Sequence, residues 1–298
     1  LKVFLQRMEE GKLTFQMLKK QNNMTVPADK ISSIQFVSKY DEAGLKTAYS
    51  AADYDAVLSI LEPLMADIAQ YMPIPNNMRE PFVMMFEAYR GEEDFANVKK
   101  HADLMIATGD EKLVAQTKVA LALAAIQKDD FAAAAQISGE LENDAAKLYV
   151  KAVVERARGN PKAAIQTVNT IIFDHANDQE WLPRGELLNA HLYLDLTSTN
   201  SSISTNSAMF TARQVKNIYA GGNIAGEARV FWESLGGEPI EAEEIARRAE
   251  LRAKAKESKD KTDAEQRAAR EKRVAERRAE AVAKREAEAK SVESGAAE

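Results

Sequence analysis

Apolar and polar residues along most of this chain alternate with the period of amphipathic α-helices. Four alanine-rich segments of this kind each follow a short polar turn, and they cover residues 51–67, 91–108, 128–142 and 159–173. One equivalent position holds Tyr54, Phe95, Phe131 and Lys162, at steps of 41, 36 and 31 residues. Each segment follows another helical stretch, so the repeating unit is a pair of helices. Such a unit predicts an α-solenoid, because one pair cannot bury its own apolar face.

The same period predicts five helix pairs and a capping helix. The predicted helices are 41–50 with 53–72, 79–90 with 94–108, 111–127 with 130–142, 144–158 with 161–175, 180–196 with 208–220, and 226–235 alone. Four glycines fall where helices are expected to end, since glycine adopts the left-handed conformation of a C-cap: Gly91, Gly109, Gly159 and Gly236. Pro161 suits a first helical turn, whereas Pro63 predicts a kink in its helix.

Residues 1–37 have a different pattern, which predicts a small antiparallel β module. The turn Glu9-Glu10-Gly11 joins two apolar runs into a hairpin, and residues 24–26 and 31–37 are predicted as two further strands. Four short strands are too few for an independent domain. We expect this module to pack on the first helices, to pair with another chain, or both. It resembles the SH3-like or Sm-like strand modules that precede repeats in some exported bacterial proteins.

The helical region, roughly residues 41–235, resembles the tetratricopeptide repeat family. The resemblance is carried by the turn-then-aromatic segments ADYDAVLSILEPL and DDFAAAAQISGEL and by GNPKAAIQTVNTII, with the small residues Ala134, Ala135 and Ala164 where helices touch. The spacing departs from the family's, and the Trp and Leu-Gly pair of its first helix are absent. The resemblance implies a mostly α fold, a TPR-like solenoid of helix pairs, and a protein-binding scaffold as its function.

The region 238–298 is predicted to be one long charged helix with a short disordered end. Residues 241–298 contain 16 Lys and Arg against 15 Asp and Glu, and seven acid-to-base pairs stand at the favourable i,i+4 spacing. A solvated single helix and docking through an alanine face onto another subunit remain alternatives. The candidate interface residues recur every seven positions: Ala268, Ala275, Val282 and Ala289.

Residues 196–211 contain nine Ser and Thr residues where a short inter-helix turn is expected. This tract predicts a loop, and its acceptor tripeptide makes it a candidate for glycosylation. The candidate residues are Asn200, Ser201, Ser202 and Thr205.

Composition excludes several classes of site. The chain has no cysteine and a formal net charge of −6, which argue against disulfides, thiol catalysis and general nucleic-acid binding. The three histidines lack metal-ligand spacing, and the catalytic motifs of hydrolases are absent. We therefore predict no catalytic residue, no cofactor and no metal. No apolar run is long enough for a membrane span. Because residue 1 is leucine, removal of a signal peptide and hence export is one interpretation; a cytoplasmic chain is the other.

Trp181 and Trp232 are expected to be core residues or, if exposed, interface anchors. A repeat array with two open ends can stack on copies of itself, so the sequence favours a self-associating scaffold, such as a structural subunit of an envelope or extracellular assembly or filament. A monomeric adaptor for a peptide segment of another protein is the alternative. An accessory subunit of an enzyme is a third.

Overall fold

The computed structural model describes residues 2–18, 22–196 and 201–237, with the side chains of 201–203 left out. These residues belong to one compact unit, a small antiparallel sheet followed by consecutive packed helices. The predicted tail helix lies outside the described residues. Five of the residues named above also lie outside them: Asn200, Ala268, Ala275, Val282 and Ala289.

The sheet contains three strands, β1 (Val3–Glu9), β2 (Lys12–Met17) and β3 (Asn23–Pro27), in the order β1-β2-β3. The predicted hairpin is confirmed, with Glu9 opposite Lys12. Both intervening residues have positive φ, 47° at Glu10 and 71° at Gly11. Positive φ at both positions is the two-residue turn whose twist matches that of the strands.

The predicted fourth strand at 31–37 is wrong. In the described chain this segment is extended, and its only pairing is a single parallel bridge between Ile34 and Asn76. The Asn77 side chain accepts from the Phe36 amide at 2.8 Å and donates to the Phe36 carbonyl at 3.1 Å. The segment therefore pairs with a loop of the helical body. The N–H and C=O groups of Phe36 find their hydrogen-bond partners there and not in the sheet.

The sheet packs on the helical body through a small apolar cluster. Leu13 and Phe15 of β2 are 3% and 8% exposed and lie against Tyr71 and Ile74, which follow the second helix. The inner face of the sheet thus gains the apolar partner that three short strands need for stability.

Eleven α-helices follow within the described residues. Their bounds are α1 Glu42–Ser50, α2 Tyr54–Ile68, α3 Arg79–Gly91, α4 Phe95–Ile106, α5 Glu111–Ile126, α6 Phe131–Gly139, α7 Asp144–Ala157, α8 Pro161–Asp174, α9 Trp181–Asp195, α10 Ser201–Ile218 and α11 Asn223–Ser234. The helix predicted at 53–72 ends at Ile68 and continues as a short 3-10 turn, Ala69–Tyr71. Pro63 lies inside α2, and Pro161 is the first residue of α8.

The predicted repeat has a structural counterpart in the turn inside each of the first four pairs. At each turn the backbone N–H of the N-cap residue bonds to the carbonyl five residues earlier, at 2.8 to 3.0 Å. The residue before the N-cap has positive φ, 54° to 75°. This is the Schellman arrangement. The left-handed residues are Ala52, Glu93, Asp129 and Gly159, and the N-caps are Asp53, Asp94, Asp130 and Asn160.

Gly91 is not the C-cap that the sequence predicts. It is the last residue of α3, and a Cβ atom there would lie 2.1 Å from Cε2 of Tyr54. The glycine provides room for the tyrosine ring, while the left-handed position is held by Glu93. Gly109, Gly159 and Gly236 do have positive φ, as expected of C-caps.

The loop predicted at 196–211 is also wrong over most of its length, because α10 begins at Ser201. Ala208, Ala212 and Val215 form an i, i+4, i+7 stripe in which every residue is 0% exposed. Burial of this stripe stabilises a helix whose serines and threonines have only modest helix propensity. Ser201, Ser202 and Thr205 therefore belong to the first turns of a helix.

The helical array has no open end at α1, contrary to expectation, because α1 and the turn after it contact α11. Ser50 Oγ donates to the Gly221 carbonyl at 3.0 Å, and Arg229 donates to the Ala51 carbonyl at 2.9 Å. A Cβ atom at Gly226 would lie 2.6 Å from the backbone of Ala51 and Ala52. The first and last described helices thus close the array on itself.

Candidate binding cavity

The first helices of four of the pairs and the last described helix line one cavity of about 640 Å³, which we call the central cavity. α3, α5, α7, α9 and α11 contribute to it, together with the turns before α2 and α4. The lining residues discussed below are Tyr54, Arg90, Leu123, Ile126, Tyr149, Val153, Arg156, Arg184, Leu187, His191, Ile224, Glu227, Val230 and Phe231. A cavity of this size is within the range of ligand sites.

A buried carboxylate, that of Glu87 on α3, anchors the floor of the central cavity. Its side chain is 3% exposed, and Oε2 accepts from Arg90 Nε and from an Arg184 terminal nitrogen, both at 2.9 Å. Burial alone would raise the pKa of Glu87, but the charges of Arg184 and Arg90 and their hydrogen bonds outweigh it and lower the pKa to about 2. Glu87 therefore stays ionised, and it joins α3 to α9, 97 residues later.

Arg184 connects this anchor to the start of α9. Its guanidinium bonds Glu180 at 2.9 and 3.0 Å as well as Glu87. Glu180 in turn accepts from Gln116 on α5 at 2.7 Å and pairs with Lys112 at 3.1 Å. The buried guanidinium is therefore compensated by two carboxylates, as burial of a charge requires.

Arg90 connects the same anchor to the last helix. Its terminal nitrogen bonds Glu227 of α11 at 2.6 Å. The same Glu227 oxygen accepts from the Tyr54 hydroxyl, and Asn223 donates to that hydroxyl at 3.3 Å. Burial, and then the charge of Glu227, raise the pKa of Tyr54 far above its usual value. Tyr54 is therefore a neutral donor in the contact that closes the array.

His191 on α9 lines the central cavity beside Phe231, and the centroids of the two rings are 3.8 Å apart. Burial, and then the positive charge of Arg156, lower the pKa of His191 to about 4. Asp195 and Glu227 act in the opposite direction. Near neutral pH the imidazole is uncharged, and it can offer one donor and one acceptor.

The sequence predicted none of the charged residues in this network. Tyr54 was recognised only as the aromatic residue of a repeat. Two of the pairs are local, because Glu87 and Arg90 stand at i,i+3 and Glu180 and Arg184 at i,i+4. That spacing is the signal the sequence offers for these residues. The pairs of Glu87 with Arg184 and of Arg90 with Glu227 join helices far apart in sequence, so no local pattern could find them.

The tryptophans named as candidate interface residues are buried, Trp181 at 3% and Trp232 at 7% exposed. Trp181 lies beside Tyr149 and under the Arg184 guanidinium, and the Lys216 ammonium lies 3.9 Å from the Trp232 ring centroid. Their burial favours the core interpretation over an exposed anchor. Among the candidate glycosylation residues whose side chains are described, Thr205 is half-buried in α10.

The part of the chain that the structure describes has no group of three or more acidic or histidine side chains arranged to hold a metal ion. None of its helices combines the length and the apolar character that crossing a bilayer requires.

Comparison with known protein families, with curated proteins and with solved structures finds no match for this chain.

We predict that Tyr54→Phe weakens the closure between α1 and α11. The phenyl ring keeps its place against Gly91, but Glu227 loses a buried donor, at a cost of about 1–3 kcal/mol in unfolding free energy. Hydrogen–deuterium exchange should increase in both α1 and α11.

Tyr89→Phe is the matched control for this prediction. The Tyr89 hydroxyl donates at 2.8 Å to Glu62, on the neighbouring helix α2, so its loss should leave exchange in α11 unchanged. Equal exchange of α11 in all three proteins would contradict a closing role for Tyr54.

We predict that His191 makes the protein less stable in weak acid. Between its unfolded pKa near 6.5 and its folded pKa of about 4, the unfolded chain binds a proton that the folded chain does not. The unfolding free energy should thus fall by about 2 kcal/mol from about pH 7 to about pH 5 on account of this group. Urea denaturation at the two pH values measures it.

The comparison protein is His191→Leu, which cannot titrate and keeps an apolar side chain against Phe231. Its loss of stability over the same pH interval should be smaller than that of the wild type by this amount. An identical loss in both proteins rules out the assignment to His191.

Proposed function

We propose that this protein is a tetratricopeptide-repeat-like interaction module that binds a short segment of another protein in its central cavity. The observation that carries this proposal is the shared cavity between the first helices of successive pairs, with apolar, aromatic and charged groups in one place. The resemblance noted in the sequence implies a scaffold, and these first helices are where an adaptor would present such a surface.

Apolar side chains supply the contact surface for a guest. Leu123, Ile126 and Val153 come from α5 and α7, and Leu187 and Ile224 come from α9 and α11. Val230 also lines the central cavity and is 50% exposed, although α11 has buried positions on its other faces. Burial of such groups by one or two guest side chains contributes about 1.5–3 kcal/mol for each large apolar side chain.

The central cavity also contains polar groups that could form hydrogen bonds with the backbone of a bound peptide. Within the described residues, the Tyr149 hydroxyl and both ring nitrogens of His191 have no hydrogen-bond partner. None of these three atoms is among the polar atoms of the described chain that are buried from solvent without a hydrogen-bond partner. They are therefore accessible from the cavity, where a hydroxyl and a neutral imidazole can pair with both the N–H and C=O groups of a peptide.

The charged side chains at the floor of the central cavity are paired with one another, so they do not attract ions of one sign. Three cations, Arg90, Arg184 and Lys112, are paired with three carboxylates, those of Glu87, Glu180 and Glu227. The floor thus presents fixed dipoles and a balanced charge, which favours an uncharged, partly apolar segment over a strongly charged one.

A phage-displayed library of random linear peptides, selected on the full chain, tests the proposal. Val230→Glu places a charge in the cavity lining and should weaken the selected peptides by roughly tenfold or more. Val37→Glu is the matched control, because Val37 is 98% exposed and does not line the cavity. Failure to select any peptide, or equal binding to Val230→Glu, would argue against peptide binding.

Self-association is a second candidate, and the edge strand β1 favours it. Within the described residues β1 is seven residues long, pairs with no strand except β2, and carries Phe4 at 60% exposure. Near its end the Met8 amide donates to the Gln70 side chain at 3.1 Å. An exposed edge strand with an apolar side chain is a template for strand pairing with another chain. The closure of α1 on α11 directs this candidate to the sheet and away from helix stacking.

Light scattering of the full chain measures self-association directly. We expect a mass above that of one chain, and a lower mass for Phe4→Lys, because lysine blocks edge pairing. Val37→Lys, an equally exposed substitution outside the strands, should leave the mass unchanged. A wild-type mass equal to that of one chain would rule out self-association and leave the peptide-binding proposal unaffected.

A further inference from the structure

A second cavity, of about 600 Å³, lies between α8, α9 and α10, and we call it the α9–α10 groove. It uses a different face of α9 from the central cavity. Glu186, Asn189 and Tyr193 line the groove, whereas Arg184, Leu187 and His191 line the central cavity. The two cavities therefore have separate sets of lining residues on one helix.

Each of the two helices lines the α9–α10 groove with one row of polar residues. The row on α9 is Glu186, Asn189 and Tyr193, at i, i+3 and i+7. The row on α10 is Ser207, Thr211 and Gln214, at i, i+4 and i+7. These spacings place each set on one side of its helix. Helices that pack on each other normally bring apolar residues together along such stripes, so this pair departs from the rule at the groove.

Several of these polar groups have no partner in the described part of the chain. Asn189 is 6% exposed, and its Oδ1 atom is buried without a hydrogen bond. The hydroxyls of Tyr193, Ser207 and Thr211 also form none. A buried polar atom without a partner costs about 1–3 kcal/mol, which the apolar contacts of α9 with α10, Leu187 with Val215 and Ala190 with Ala212, must offset.

Among the described residues that line the groove, Glu186 alone is charged. Burial raises the pKa of its carboxyl, and the Tyr219 hydroxyl, a hydrogen-bond partner, acts in the opposite direction. Lysine and arginine are absent from the described part of the lining, although the Arg213 guanidinium lies 5.8 Å from the centroid of the Phe210 ring. Within this lining an anionic ligand would therefore meet a carboxylate, and a cationic ligand would have only one carboxylate, which burial makes harder to ionise.

Apolar surface completes the α9–α10 groove. Ile172 and Val215 line it, and so does Phe210, whose side chain is 53% exposed. Uncharged donors and acceptors beside an exposed aromatic ring match a ligand with many hydroxyl groups and an apolar ring face. We infer that the α9–α10 groove binds a small uncharged carbohydrate, of one or two sugar units.

Saturation-transfer NMR of the full chain with glucose, N-acetylglucosamine and maltose tests this inference. We expect transfer to at least one of the three sugars. Phe210→Ala should weaken its binding roughly tenfold, because the aromatic contact is lost. Phe173→Ala is the matched control, since Phe173 is 77% exposed on the neighbouring helix and does not line the groove.

Thr211→Val provides a second variant of nearly the same shape, in case Phe210→Ala perturbs α10. It removes one hydroxyl from the groove, and it should weaken the same sugar while the circular dichroism spectrum stays that of the wild type. Absence of transfer to all three sugars overturns the inference, and so does transfer that neither variant reduces. Binding of peptides in the central cavity does not depend on either result.

Discussion

The ionised carboxylate of Glu87 is the constraint on which the arrangement of the helices depends. A buried charge is tolerated only with compensation, and here Arg90 and Arg184 provide it at 2.9 Å each. One guanidinium comes from the same helix and the other from α9. Because Arg90 also bonds Glu227, a single buried anion fixes the positions of α3, α9 and α11 relative to one another.

This network makes the inner face of the array different from that of an open solenoid. In a repeat array each unit contacts its neighbours, and the inner face remains accessible along its length. Here α11 contacts the turn after α1, and Tyr54, Arg90 and Glu227 contribute both to that closure and to the cavity lining. The closing contacts and the proposed binding surface are therefore made by the same side chains, so a guest that competes for one of them also acts on the closure.

The sequence predicted the helices well because their signals are local. Apolar periodicity and the polar turns are each read within one helix pair, and the predicted existence of all eleven helices is confirmed. The wrong predictions concern segments whose structure depends on tertiary contacts. Residues 31–37 have a strand-like composition, but Asn77 takes the backbone groups of Phe36. The tract of serines and threonines looks like a loop until the buried stripe of Ala208, Ala212 and Val215 is known.

The candidate site could not be predicted from the sequence, because it too depends on tertiary contacts. Tyr54 and Glu227 are 173 residues apart, and Glu87 and Arg184 are 97 apart. No spacing rule relates residues at such separations, and a charged residue in a buried helix does not name its partner. Sequence patterns could indicate that a charge interrupts an apolar face, but only the packing of α3 against α9 brings the opposite charges together.

The repeated turn explains how units of unequal length can belong to one array. Each of the first four pairs is joined by the same turn, with a left-handed residue followed by an N-cap whose amide reaches back five residues. The unit is thus defined by the geometry of its hairpin and not by a fixed number of residues. The lengths of the helices and of the connections between pairs change, as the falling steps of 41, 36 and 31 residues show, while the turn within a pair is preserved. An array built in this way can accept insertions between pairs during evolution and still keep its inner surface continuous.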